Sequence, residues 1–194
     1  TNDSIVVDAN PLYAGKQVVI KLKLLAKQKV KASISASCVY HPNAPTMQVF
    51  IMSYCPFGLQ MVKGLLPVWK LLGDKANIEL RFVSYTMHGP KEEEENKRMI
   101  CIREEQCNKL ITYLECFAGS GDSEKCIAQA GIDKAKLEQC MQFRAENYFK
   151  VDKQLNEKYG VRGSPTVVIN GKVVEIWPRS PENIKQELCK AFAN

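Results

Sequence analysis

Met47-Gln48-Val49-Phe50-Ile51-Met52-Ser53-Tyr54-Cys55-Pro56-Phe57-Gly58 is an apolar run that ends in a cysteine and passes at once into Leu59-Gln60-Met61-Val62. The run predicts a strand, and the residues after it predict a helix from about Leu59 to Leu72. A thiol is therefore presented where a strand hands over to a helix. Unpaired N–H groups and the positive end of a helix dipole stabilise a thiolate, which is the reactive form. Pro56 suits the helix start because it has no N–H to satisfy. The competing reading of Cys55 is an inert buried thiol.

Far downstream, the stretch from Tyr159 to Val174 contains Gly163-Ser164-Pro165-Thr166, then Val167-Val168-Ile169, Asn170-Gly171 and Lys172-Val173-Val174. It predicts a turn, a strand, an Asn-Gly hairpin and a second strand. A strand-end cysteine followed later by such a proline loop resembles the thioredoxin superfamily. The resemblance implies that Pro165 is a cis-proline beside the active thiol, and that Ser164 and Pro165 pair with substrate backbone. Tyr54, Pro56 and Phe57 then form a rim for an extended or unfolded substrate, although aromatic residues beside a turn are also ordinary packing.

With 194 residues, 45% hydrophobic and 25% charged, the chain can bury one good core, read here as one domain with an elaboration. No apolar run approaches the roughly 20 residues of a membrane span, and residues 1–15 lack a signal-peptide pattern, so the chain reads as a mature or trimmed form. Asn2-Asp3-Ser4 is a glycosylation sequon of little weight. The net charge of +6 is spread along the chain rather than gathered in one basic run, which excludes a nucleic-acid-binding signature and reads as a solubility feature. Eight cysteines suit a partly disulfide-bonded protein of an oxidising compartment, and none are spaced as a C-x2-C zinc site.

Residues 1–45 predict a β-rich lead-in, with strands over 17–24 and 30–38, the second placing Cys38 on its buried face. Cys38 is either a small buried hydrophobe or one end of a disulfide to the main unit. His41-Pro42-Asn43-Ala44-Pro45 is a connector. From Met47 the order is strand, helix kinked at Pro67, and a second, parallel strand from Asn77 to Tyr85. About 90–158 forms a helical insertion of some three helices, with the acidic run Glu92 to Glu95 as a solvated helix start and Asp122 or Ser123 and Asp133 as N-caps. Ser180-Pro181-Glu182 opens the closing helix. Cys116 and Cys126 flank the Gly119-Ser120-Gly121 loop, as a bridge across a helical hairpin would.

Within the insertion stand His88-Gly89, Glu92, Asn96 and Cys101. Their spacing resembles the signature C-Q-H-G-x2-E-C-x2-N-x4-C of the gamma-interferon-inducible lysosomal thiol reductase family. The likeness continues through Leu65-Leu66-Pro67-Val68-Trp69, through Cys116, Cys126, Cys140 and Cys189, and through Pro165 with Val168-Ile169-Asn170-Gly171, covering 47–194. It makes those four cysteines disulfide candidates with their connectivity open, and with the cysteine count it points to an extracytoplasmic location, whether secretory pathway, lysosomal, secreted or periplasmic. Three positions depart: Gly58 replaces the second cysteine of C-x-x-C, and Thr86 and Glu93 replace two signature cysteines. If those two bond each other in the family, their absence costs a staple worth roughly 2–4 kcal/mol.

The expected fold is α/β, thioredoxin-like, with a helical insertion. The expected activity is thiol–disulfide exchange on protein or small-molecule disulfides, with Cys55 as nucleophile and no metal or organic cofactor. Without a cysteine at 58, the mixed disulfide is resolved by glutathione or another small thiol, or by an insertion cysteine, for which Cys101 is the candidate; otherwise the site binds without turnover. The competing reading of Cys101 is one end of a structural disulfide, Cys107 has no arguable partner, and His88 is a turn residue or a base. Two alternatives stay open: a redox-inactive thioredoxin-fold binding or chaperone-like module, and a monothiol carrier of an iron–sulfur cluster.

Overall fold

The structure, a computed structural model, describes residues 38–192. The strands expected over 17–24 and 30–38 lie outside them, except for Cys38. That cysteine stands in no strand and is exposed; its sulfur is bonded to Cys107, which corrects its expected place on a buried strand face.

Strand β1 (Thr46–Ile51) is the buried centre of a four-stranded sheet ordered β2-β1-β3-β4. Helix α1 (Pro56–Leu72) carries the chain over to β2 (Asn77–Phe82), which runs parallel to β1 with Val49 opposite Leu80. β3 (Thr166–Ile169) pairs antiparallel on the other side of β1, and β4 (Lys172–Val174) returns through Asn170-Gly171, both with positive φ as a tight hairpin turn requires. Alternation along β1 divides the core. Met47, Val49 and Ile51 join a large cluster with Met61, Leu65 and Trp69 of α1, whereas Phe50 and Met52 join a smaller one with Cys55, Val83, Val161 and Val168. α1 starts at Pro56 rather than Leu59, and it is continuous through Pro67. Lys63, Pro67 and Lys70 share its exposed face, so the Lys63 carbonyl that Pro67 cannot bond lies on the solvent side of the helix.

β2 ends at Phe82, short of the expected Tyr85, because side chains take over its backbone groups. Phe82 N donates to Asp152 Oδ2 at 3.0 Å, Phe82 O accepts from Asn156 Nδ2 at 2.8 Å, and Ser84 N donates to Asn156 Oδ1 at 3.0 Å. Asp152 is fully buried and is also held by Arg81 and Arg103.

The insertion holds five α-helices and a 3₁₀ turn, not three helices: α2 (Pro90–Glu105), a turn at Cys107–Lys109, α3 (Leu110–Ser120), α4 (Ser123–Ala130), α5 (Lys134–Phe143) and α6 (Ala145–Tyr159). Gly121, Gly131 and Gly160, all at positive φ, end α3, α4 and α6. Asp122 and Asp133 cap α4 and α5, and Ser180 caps α7 (Pro181–Lys190). The acidic run is only half solvated. Glu93 and Glu94 face water, while Glu92, Glu95, Asn96 and Met99 share the inner face of α2 at helical spacing. Burial raises the Glu95 carboxyl above its ordinary range, although Tyr113 and Ser123 hydroxyls each donate to it at 2.6 Å.

Candidate functional site

Cys55 is the N-cap of α1, with extended backbone (φ −71°, ψ 121°) and 9% exposure. Its N–H is used locally, donating to Met52 O at 3.0 Å, and Pro56 follows as the first helical residue. The sulfur donates to Ser164 O at 3.5 Å. Ser164-Pro165 is a cis peptide, so the chain brings the cysteine and the proline loop together across 109 residues of sequence.

Gly58 and Ser164 explain each other. A Cβ built on Gly58 would stand 2.6 Å from Ser164 Oγ, 3.1 Å from Met52 O and 3.3 Å from Ile51 Cβ. The space beside Cys55 at the fourth motif position is thus occupied by the serine hydroxyl, which accepts from Met52 N at 2.9 Å. That hydrogen bond ties the proline loop to the end of β1. A side chain at 58 and this serine conformation exclude each other.

The loop before Cys55 is held by α2. Ser53 N donates to Asn96 Oδ1 at 3.1 Å, Ser53 Oγ donates to Glu92 O at 3.3 Å, and Tyr54 N donates to Glu92 Oε2 at 3.4 Å. Glu92, fully buried, also accepts from Met87 N at 2.9 Å, and His88 Nδ1 lies 2.5 Å from its Oε2. Asn96 Nδ2 is buried without a partner, so the residue holds the loop at the expense of one unmade hydrogen bond.

Among the residues expected as a rim, Pro56 and Phe57 are exposed, the latter by 61%. Tyr54 is half-buried instead. Its ring packs edge-on against Phe117 at 5.5 Å with Lys91 over it at 4.5 Å, and burial pushes its phenol above the ordinary range. Sequence reasoning missed the other wall. Arg179 comes to the Phe57 ring from beyond β4, and its guanidinium also stands over Trp177, which is 70% exposed and joined to Pro178 by a second cis bond. Nothing near Arg179 in the sequence carried a sign that its neighbour would be residue 57.

The cysteines require two corrections. Cys101, expected as a resolving thiol or a disulfide end, is bonded to Cys140 and 1% exposed, so it holds α2 to α5 and has no free thiol. Cys189, implied by the resemblance as a disulfide partner, is a free and exposed thiol on α7. Cys116 bonds Cys126, joining α3 to α4, and Cys107 finds Cys38. Cys55 and Cys189 are the free cysteines among the described residues. In the same residues no helix is long and apolar enough to cross a membrane.

No protein-family profile and no curated protein matches the chain. Solved structures do. BdbD from Bacillus subtilis, in oxidised form, superposes with a TM-score of 0.62 at 18% identity, over 79% of this chain and 91% of its own. A thioredoxin-like oxidoreductase from Silicibacter pomeroyi gives 0.59 at 16%, over 84% and 98%. MdbA, a thiol-disulfide oxidoreductase from Actinomyces oris, gives 0.59 at 15%, over 76% and 81%. At these identities the likeness establishes the fold, which is mixed α/β and thioredoxin-like, with a helical insertion between the second strand and the cis-proline strand.

Proposed function

We propose that this protein exchanges disulfides of polypeptide or small-molecule substrates through one thiol, that of Cys55. The observation that carries this reading is the placement of a free cysteine at the N-cap of α1 against the cis Ser164-Pro165 loop, with Gly58 and the Ser164 hydroxyl where a second motif thiol would stand. The Cys55 thiolate attacks one sulfur of the substrate, the substrate S–S bond breaks, and the departing sulfur leaves as a thiolate. Because no second cysteine stands in the motif, a small thiol such as glutathione then attacks the substrate sulfur of the mixed disulfide, Cys55 departs as a thiolate, and a second small thiol frees the substrate and leaves as the small-thiol disulfide. The bonded state of Cys101 speaks against an internal resolver. Three disulfides favour an extracytoplasmic compartment, lysosomal, secreted or periplasmic. Kinship with the lysosomal thiol reductases rests on His88, Gly89, Glu92, Asn96 and Cys101. Support for it comes from Glu92 and Asn96, which hold the loop that ends in Cys55.

The test is reduction of a protein disulfide with and without glutathione, by the parent and by Cys55→Ser. Turnover that needs both Cys55 and glutathione is expected. Turnover without any small thiol, or turnover that survives Cys55→Ser, overturns the single-thiol mechanism. The 9% exposure of Cys55 favours a second reading, a binding module without turnover. In that case the substitution leaves affinity for an unfolded polypeptide unchanged and no exchange is seen.

A further inference from the structure

Six arginines fall among the described residues, at 81, 98, 103, 144, 162 and 179. Four are tied to carboxylates: Arg81 to Glu79 and Asp152, Arg98 to Glu94 and Glu95, Arg103 to Glu104 and Asp152, and Arg144 to Glu105. Arg162 and Arg179 form no ion pair among the described residues, and both border the cis-proline loop. Arg162 is exposed, two residues before Ser164, and its carbonyl accepts from Tyr85 Oη at 2.8 Å beyond the end of β2. Arg179 approaches from beyond β4. Its guanidinium carbon lies 5.5 Å from the Phe57 ring centroid and 5.0 Å from that of Trp177, and one nitrogen donates to Gln60 Oε1 at 3.0 Å. Two rings and a glutamine fix the plane of this cation and leave most of its five N–H donors uncommitted. With Met61, Pro165 and Ile176 it lines a groove of about 300 Å³; Glu175 lines it too without pairing to the arginine.

We infer that Arg162 and Arg179 select substrates in which carboxylates flank the reacting cysteine, on an extended peptide laid along Ser164-Pro165. The inference rests on Cys55 as the attacking thiol and deepens it by naming the substrate. Residues of an extended strand advance by about 3.3 Å, so the side chains next to a cysteine held at Cys55 reach only a few ångströms to either side. Arg162 stands on the sequence that enters the loop and Arg179 lines the groove beside Pro165, and the two flanking carboxylates are assigned to these two cations. The chain's net charge of +6 works in the same direction.

The test uses three amidated pentapeptides, Ala-Glu-Cys-Glu-Ala and its Gln and Lys counterparts, each carrying thionitrobenzoate in disulfide linkage to the cysteine. Attack by Cys55 breaks that S–S bond, forms the Cys55–peptide disulfide and releases coloured thionitrobenzoate with the electron pair. At low salt the Glu peptide is expected to react roughly tenfold faster than the Gln peptide, about three- to fivefold per arginine for partly exposed ion pairs. Arg162→Gln and Arg179→Gln each remove one such factor, Arg179→Lys retains part of it, and added salt erodes the ratio. Equal rates for Glu and Lys peptides, or a ratio untouched by both substitutions, overturn the inference. The glutathione–thionitrobenzoate disulfide also carries carboxylates on both sides of its sulfur; a rate matching that of the Glu peptide overturns the peptide as the preferred source. If Cys55 reacts with none of the probes, the exchange reading fails. The arginines are then judged by rhodamine anisotropy of Cys55→Ser with the same peptides bearing serine for cysteine: the same charge ranking sustains the selection, and no ranking overturns it.

Discussion

Gly58→Ala is the substitution that tests how the space beside Cys55 is filled. The added Cβ would stand 2.6 Å from Ser164 Oγ, so the serine must rotate away and give up its 2.9 Å hydrogen bond from Met52 N. Met52 is 2% exposed, so no water replaces the lost partner, and an unsatisfied buried N–H costs about 1–3 kcal/mol. Tight approaches to Met52 O at 3.1 Å and Ile51 Cβ at 3.3 Å add to this. Against it stands the helix preference for alanine over glycine, at most about 1 kcal/mol. The clash wins, and a net loss of about 1–2 kcal/mol is expected in guanidinium unfolding with an unchanged slope. In a Ser164→Ala background the hydroxyl is gone and Met52 N has already lost its acceptor. There Gly58→Ala should be neutral or stabilising, giving a coupling energy of about 2 kcal/mol between positions 58 and 164. A Gly58→Ala protein as stable as its parent, or the same loss in both backgrounds, refutes the reasoning. The same geometry implies that Gly58→Cys alone does not restore a working dithiol, whereas Gly58→Cys with Ser164→Ala has room for one.

Replacing both Cys101 and Cys140 by alanine should lower stability by about 4 kcal/mol, the chain-entropy value for a loop of 39 residues, while leaving the rate of Cys55 exchange per folded molecule unchanged; loss of exchange in still-folded protein would return Cys101 to the mechanism. Glu92→Gln turns an acceptor of Tyr54, Met87 and His88 N–H groups into a group with one donor facing a donor, so a loss of about 1–3 kcal/mol and faster alkylation of Cys55 are expected by denaturation and iodoacetamide kinetics. The hydrogen bonds from Arg144 hold the Glu105 carboxyl below its ordinary range. A depressed folded-state value gives stability that is complete above the unfolded value, near pH 4.3, and lost as pH falls through the folded one. The stability gap between the parent and Arg144→Gln should accordingly be full at pH 6–7 and close on acidification; a gap constant down to pH 2 would contradict the pairing.

The fold was legible where local rules and tertiary packing agree. The Met47–Ile51 run, the proline after Cys55, the Asn170-Gly171 turn and the Asp122, Asp133 and Ser180 caps each announce their element with residues a few positions apart. The acidic run was misread because Glu92 and Glu95 lie on the inner face of α2, and their hydrogen-bond partners on other elements, Tyr54, Tyr113 and Ser123, are invisible to a local reading. β2 was overextended because its end is set by Asp152 and Asn156, some 70 residues later. Cys116–Cys126, ten residues apart, was legible, whereas the two longer disulfides failed in the same way: nothing near Cys101 points to Cys140, and nothing near Cys107 to Cys38. In the site, Cys55 and Pro165 were legible from motif chemistry. The Ser164 hydroxyl filling the space beside Gly58, and the Phe57–Arg179–Trp177 wall, depend on contacts 106–122 residues apart.

The insertion is more than a cover over the sheet. Two segments hold the loop that carries Cys55: the cis-proline loop through Ser164, and α2 through Glu92 and Asn96. α2 is in turn held to α5 by Cys101–Cys140 and to α6 through Arg103 and Asp152, and the 3₁₀ turn after it is held by Cys38–Cys107. The Ser53-Tyr54-Cys55 loop therefore inherits its position from helices whose own placement is cross-linked. A C-x-x-C site keeps both sulfurs within one turn of helix and needs little outside support to complete exchange. Under the single-thiol exchange proposed above, the site has to hold a mixed disulfide until an external thiol arrives, and a loop pinned from both sides suits that longer-lived intermediate. Reducing the insertion's disulfides should loosen the Cys55 loop before it unfolds the sheet, because the sheet's own hydrogen bonds and its two apolar clusters do not pass through those sulfurs.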